Sequence, residues 1–315
     1  MFLRFLLRRL LYVIPMMLIT SFVVFSFILL IPGDPALTIL GENATEERLR
    51  FVREQLGLDK PIPVQYFHWL TNALQGDLGR SIFTGELVHE TVFSRLTVTF
   101  QLVVSAMIFA TIGGMFFAIA SVYFQNSWID YFARFLGVIG SAIPNFWLAM
   151  LLVLLFSLNL HWLPATGFTS ITKDPVQFLR GIILPSIALG AVGMAQITRH
   201  LRSSLLETMN SEYVRTAYSK GVDKWRAVMR HGLRNAMLPV VTTIGILFGN
   251  LLGSTVVIET IFGIAGMGQL AVNSILQRDF TMLQGVILVM VVLVIVINFI
   301  TDVVYAILDP RIEYD

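Results

Sequence analysis

Histidine, cysteine, lysine and the carboxylates are the side chains that could give this chain a chemistry of its own, and their spacing argues against one. His68, His89, His161, His200 and His231 are scattered, and none stands four residues from another histidine or a carboxylate in a metal-binding pattern. Cysteine is absent, which rules out a disulfide, a thiolate metal site and a cysteine nucleophile. A Walker loop needs lysine directly after glycine so that the ammonium reaches the terminal phosphates. Lys60, Lys173, Lys220 and Lys224 all follow other residues. "GIAGMG" at 263–268 has glycines spaced faintly like a dinucleotide loop. No strand precedes it and no helix opens on it in a βαβ unit, so it reads as a turn or re-entrant loop. No catalytic residue and no metal site is assigned.

The elements that would position any site are apolar helices. The chain is 56% hydrophobic and 13% charged, about half the roughly 25% charge of soluble domains. Mean hydropathy is +0.77. A helix crosses a bilayer with about 20 apolar residues, and six segments qualify: about 10–31, 98–124, 133–158, 181–198, 237–258 and 281–307. Segment 1–31 has the basic start of a signal peptide, but its apolar run is too long for one, so it is expected to stay as the first span. Pro185 and Gly190 are expected to interrupt the fourth span. The net charge of only +2 does not imply nucleic acid.

Ionisable side chains within spans usually mark proton or ion paths. Only Glu259 and Asp302 come close, and both fall near span ends. An ion-coupled carrier would need carboxylates in mid-span, and a membrane-embedded enzyme would need clustered Asp, Glu or His; neither pattern is visible. Milder polarity does occur, at Ser141, Asn145, Gln196, Asn250, Ser254, Thr255 and Asn298. These side chains suit interhelical hydrogen bonds, worth about 0.6 kcal/mol each, and equally suit the lining of a translocation path. Ser141, Asn145, Gln196, Asn250, Ser254 and Glu259 are the candidates for such a lining. Gly245, Gly249 and Gly253 share one face of the fifth span and would admit another span or subunit closely.

Arg4, Arg8, Arg9, Arg134, Arg199, Arg202 and a basic stretch at 212–241 fall on one side of this layout. Most of the opposing Lys and Arg lie in the long 32–96 loop, which weighs little in the charge rule. The basic side is therefore expected to be cytoplasmic, with both termini inside. Segment 32–96 is then external. It reads as two short helices, one capped by Asn43 or Thr45 and stopped at Gly57, the other carrying Tyr66, Trp69 and Leu70 on one face. They would lie on the membrane or cap the bundle, or else receive an external partner.

The basic stretch "EYVRTAYSKGVDKWRAVMRHGLRNAMLPVV" has internal order. Glu212 to Lys220 reads as a helix, Gly221 as a left-handed stop and Asp223 as the cap of a second helix. At the helical period, Trp225, Val228, Met229, Leu233 and Met237 share one face, and Arg226, Arg230 and Arg234 another. Anionic lipid would account for the charge. An aromatic ridge on a broken helix suits a groove in a protein partner.

This stretch resembles the cytoplasmic "EAA" loop of ABC-importer permeases, and is most similar to that of the dipeptide, oligopeptide and nickel permease family. Glu212, Tyr213, Arg215, Thr216, Ala217, Lys220, Gly221, Arg230, His231, Leu233, Arg234, Asn235, Ala236, Leu238, Pro239 and Val240 match the family's pattern. "IPGDPA" at 31–36, "LGLDKPIPVQY" at 56–66, "GDLGRS" at 76–81, "ETIFGIAGMG" at 259–268, "RD" at 278–279 and "DPRI" at 309–312 also resemble it, so the likeness spans the chain. Ala265 stands where the family often has proline, and Arg215 where the general consensus has glutamate.

The resemblance implies an all-α membrane protein of six transmembrane helices with the type I importer (MetI-like) permease fold. It would be a single permease domain over 1–315, with a first span at 1–31, a periplasmic segment at 32–96, a core at 97–307, a coupling loop at 199–236 and a cytoplasmic tail at 308–315. The site residues it implies are Glu212, Tyr213, Arg215, Thr216, Ala217, Lys220, Gly221, Trp225, Arg230 and Arg234, docked on an ATPase. Implied partners are a second homologous permease chain, two cytosolic ATP-binding-cassette ATPases, a periplasmic or extracellular substrate-binding protein and membrane lipid. ATP and magnesium would belong to the ATPases, with no cofactor in this chain. The implied location is the bacterial inner membrane, and the implied cargo is di- or oligopeptides, with nickel chelates, glutathione, opines and oligosaccharides as alternatives.

Overall fold

The computed structural model describes residues 2–29, 36–37, 45–55 and 59–308. The expected Asn43 cap, the Gly57 stop, most of "IPGDPA" and the closing "DPRI" lie outside these residues. Among the described residues the helices in chain order are α1 (Phe2–Leu29), α2 (Glu46–Gln55), α3 (Ile62–Leu74), α4 (Val88–Tyr123), α5 (Trp128–Ala142) and α6 (Asn145–Leu152). They continue as α7 (Pro175–Met209), α8 (Glu212–Ser219), α9 (Lys224–Arg226), α10 (Leu233–Ala236), α11 (Leu238–Phe262), α12 (Met267–Gln277) and α13 (Phe280–Leu308). π-Helical turns follow α6 at Val153–Asn159 and α9 at Ala227–Gly232. Among the described residues five helices are long and apolar enough to span a membrane alone, and α5 with α6 and its π-helical extension makes a sixth, bent candidate.

The third span, expected at about 133–158, is bent. The chain turns by 109° between α5 and α6. Pro144 causes this locally, because its ring excludes the residue before it from the helical region, and Ile143 sits extended at φ −85°, ψ 124°. The expected interruption of the fourth span is corrected. α7 runs unbroken through Pro185 and Gly190 for 35 residues, about 50 Å at 1.5 Å per residue. It therefore outruns a hydrocarbon core of about 30 Å.

The chain divides into two compact units. In the first (Met1–Val98 with Ala265–Val296), Tyr66 of α3 is buried against α1. Its hydroxyl lies 2.8 Å from Ser21 Oγ and 3.1 Å from the Leu18 carbonyl, and its ring meets Phe22 and Phe25 edge-on. Elsewhere in this unit Val88 and Val92 of α4 pack with Met267 of α12 and with Met282 and Val286 of α13. Asp279 stitches that cluster together. It caps α13 by accepting from Met282 N at 3.1 Å and accepts a hydrogen bond from Ser81 Oγ. "GDLGRS" and "RD", far apart in sequence, thus meet at one carboxylate.

In the second unit (Thr99–Ile264 with Ile297–Asp315) α7 is the axis, packed by α5, α6 and α11. Its most apolar stretch is 61% buried, against at most 39% for the other spans. Gly190 permits close approach to α4, since a Cβ there would sit 2.6 Å from the Ala106 carbonyl oxygen. Gly245 of α11 lies against the Thr301 side chain of α13, whereas a Cβ at Gly249 or Gly253 would meet nothing within 4 Å among the described residues. Thr99 of α4 donates to Glu259 of α11 at 2.6 Å.

These contacts make the glycines separable by experiment. Gly190→Ala should destabilise the protein by about 1–3 kcal/mol, because a backbone carbonyl cannot step aside for the added methyl. Gly249→Ala should be neutral or slightly stabilising. Thermal unfolding of both variants in one detergent checks this, and equal midpoints would refute the packing argument.

Candidate coupling segment and its anchors

The segment following α7 is held by small buried side chains and exposes large polar ones. Ser211 N-caps α8 in extended conformation, with Arg215 N–H donating to its carbonyl at 3.1 Å. Val214 and Ala217 face inward, while Glu212, Tyr213, Arg215, Thr216 and Lys220 are exposed. Lys220 ends the helix and Gly221 takes φ +83°, the left-handed region that L side chains rarely adopt. Asp223 then caps α9, its carboxylate accepting from Arg226 N at 3.0 Å.

Beyond α9 the helix widens into the π turn Ala227–Gly232 before α10. This corrects the face expected from a uniform helical period. Bonding from i to i+5 shifts the phase of every later residue. Ala227, Val228, Gly232 and Ala236 are buried, while Trp225 and Met229 are exposed and Leu233 and Met237 only half-buried. Arg226, Arg230 and Arg234 are all exposed. Gly232 lets the turn lie on the end of α7, where a Cβ would come within 3.1 Å of Met209 Sδ and 3.3 Å of Leu205 Cδ2.

Three ties brace the segment. Asn235 Nδ2 donates to Tyr213 OH at 2.8 Å, closing α10 onto α8. Lys224 Nζ donates to the Tyr123 carbonyl at the end of α4, and Trp225 meets the Tyr123 ring edge-on at 5.6 Å. A cation is favoured at that helix C-terminus. His200 Nδ1 lies 2.8 Å from Thr243 Oγ1, which itself donates to the Pro239 carbonyl at 2.9 Å. The contact ties α7 to the first turns of α11.

A cluster that sequence reasoning missed lies beside these ties. Asp130 of α5 is fully buried. It accepts from Ser121 Oγ of α4 at 2.5 Å and from Arg202 Nε of α7 at 3.1 Å, with Arg202 Nη2 also at 3.0 Å. Arg202, which counted as a cytoplasmic charge in the sequence, is thus committed within the fold. Asp130 follows a short turn and lies 72 residues before its partner. No local period joins them.

The six candidate lining residues are dispersed over the second unit. Asn145 of α6, Gln196 of α7 and Asn250 and Ser254 of α11 lie on three helices that pack pairwise. Asn250 is exposed, and Ser254 Oγ donates to its carbonyl at 3.0 Å. Asn145 Oδ1 is buried and has no hydrogen-bond partner among the described residues. Ser141 is exposed and donates to the Gly137 carbonyl at 3.0 Å. Glu259 is enclosed within the chain, accepting from Thr99.

Comparison with known proteins closes the question of kinship. The profile of the family described as "Binding-protein-dependent transport system inner membrane component" matches residues 110–314. The profile of its N-terminal companion matches residues 2–103. The chain belongs to this family. The permease is 42% identical over 312 residues to the glutathione transport system permease protein GsiC of Salmonella typhimurium, covering 99% of each chain. It is 39% identical over 309 residues to a provisionally named peptide transport system permease protein of Brucella suis biovar 1, covering 98% of each. Among solved structures, the MetNI methionine ABC transporter in an inward-facing conformation matches with a TM-score of 0.57 at 16% identity, over 69% of this chain and 96% of that one. The fold is therefore that of a type I importer permease, and the permease is a multi-pass inner-membrane subunit of an ATP-binding-cassette importer.

The Asp130 cluster generates a stability test. Asp130→Ala removes the buried partner of Arg202 and should cost about 3–5 kcal/mol. Thermal unfolding in detergent measures it, and a midpoint equal to that of the unaltered permease would show that the pair is not part of the stabilising core.

Proposed function

We propose that this permease passes short peptides inward, and that its 212–236 segment is the lever through which ATP hydrolysis drives the passage. The observation that carries this reading is the construction of the segment. Small residues lock its inner side to α7, its outer side offers Tyr213, Arg215, Lys220, Trp225, Arg230 and Arg234, and it runs directly into α11. A rigid element with an exposed, charged and aromatic face suits a groove on a soluble subunit. Force applied there would pass along α11.

The exposed stripe of α11 supports a path along that helix. Ile246, Asn250, Gly253, Val257 and Thr260 are exposed at helical spacing, which gives a small, mildly polar face. Asn145 and Gln196 would add polar groups, and Ser141, Ser254 and Glu259 complete the proposed lining or its support. A second permease chain would close the path, and an external binding protein would supply the cargo. ATP and magnesium would be held by two cytosolic ATPase subunits, leaving this chain without a catalytic role. The basic segment, α8 included, would face the cytoplasm along with both termini. Segment 32–96 would face the binding protein.

The cargo reading rests on the relatives. One is named for peptides and another for glutathione, itself a short peptide-like chain, at similar identity. Both share amide bonds and free charged ends, so short peptides are the common class, with glutathione as the second candidate.

The turn at Gly221 tests the lever. A left-handed conformation costs an L-residue about 1–2 kcal/mol, and a β-branched one more. In reconstituted complexes Gly221→Val should leave ATP hydrolysis standing while uptake of labelled dipeptide falls several-fold, with Gly221→Ala intermediate. Full uptake by Gly221→Val at equal assembly would overturn the role of the turn. Uptake of glutathione but not of dipeptides by the unaltered complex would move the cargo to the second candidate.

A further inference from the structure

We propose that a cavity between α5 and α7 is a binding site for the headgroup phosphate of an anionic phospholipid. The cavity measures about 360 Å³, and its lining includes Arg134, Arg199, Arg202, Ala133, Val138 and Leu206. Three arginines are among its lining residues, and two of them, Arg134 and Arg202, pair with the carboxylate of Asp130. That carboxylate is occupied by Arg202 and Ser121. Arg134 reaches it only at 3.5 Å and otherwise lies over the Tyr131 ring, 4.5 Å from its centre. Arg199 is exposed and has no ion pair or hydrogen bond among the described residues. The site therefore carries uncompensated positive charge on side chains whose planar donors match phosphate oxygens.

The walls decide between a lipid and a dissolved ion. Ala133, Val138 and Leu206 offer apolar surface that a free phosphate cannot use and that a glycerol and upper acyl chain can. The outer face of α5 exposes Trp128, Phe132, Phe135 and Val138, the aromatic and apolar side chains that meet the bilayer boundary. On α7 the arginines come where the apolar run ends, so charge and grease meet at the depth of a headgroup. Basic pockets between membrane helices hold anionic headgroups by this combination.

The test is native mass spectrometry of the permease with its co-purifying subunits, released from mild detergent. The probes are tetraoleoyl cardiolipin, dioleoyl phosphatidylglycerol, dioleoyl phosphatidylcholine and inorganic phosphate. The two anionic lipids should be retained over phosphatidylcholine. Arg199→Gln should weaken them about fivefold, the worth of one basic residue near an anionic surface, Arg134→Gln should add to that loss, and Arg199→Lys should restore most of it. Arg199 makes no ion pair with Asp130, so thermal unfolding of Arg199→Gln in phosphatidylcholine should not change and separates loss of the site from loss of the fold. Equal retention of phosphatidylcholine, or indifference to Arg199→Gln, would overturn the proposal. Displacement of lipid by inorganic phosphate at matched concentration would replace it with a free-phosphate site. Adducts on the isolated chain but not on the complex would show a subunit covering this face, and would also overturn it.

Discussion

Apolar side chains gain little by leaving lipid for one another, so helices in a membrane are held by close backbone approach and a few polar ties. The second unit of this permease is built on that constraint. Gly190 brings α7 against the backbone of α4, and Gly245 brings α11 against Thr301. Thr99 joins Glu259, His200 joins Thr243, and Ser121, Asp130 and Arg202 join three helices at one carboxylate. α7 takes part in most of these contacts, which is why it is the most enclosed of the spans.

The same constraint explains why the 212–236 segment is braced and not loose. The segment lies against the end of α7, with Gly232 next to Leu205 and Met209. Its remaining order comes from Asn235 on Tyr213 and from Lys224 and Trp225 on Tyr123. These ties use one end or edge of each aromatic, and leave Tyr213 and Trp225 half exposed. Anchoring and display are therefore performed by the same side chains.

Much was legible in advance. Long apolar runs announced the spans, Gly221 its left-handed turn and Asp223 its cap, because each depends on residues within a turn or two. The resemblance in the 212–240 motif located the segment and the family. The reading of 133–158 as one span did not include the bend at Pro144. Pro144 ends a helix while Pro185 does not, and the difference lies in the packing around α7, which no window of sequence contains.

Local chemistry thus determined from sequence alone that this chain has long apolar helices, a basic, glycine-broken segment and no Gly-Lys pair of the Walker kind. Tertiary structure alone decided which charges are spent and which are on offer. Arg202 and Arg199 are three residues apart and look alike in sequence. One is paired with a buried carboxylate from another helix, and the other has no partner among the described residues. The π turn at Ala227–Gly232 made a similar decision for Leu233 and Met237, which follow it. Pairings across 72 or 198 residues, such as Arg202 with Asp130 or Ser81 with Asp279, leave no periodic trace because helix and turn rules act only over a few neighbours.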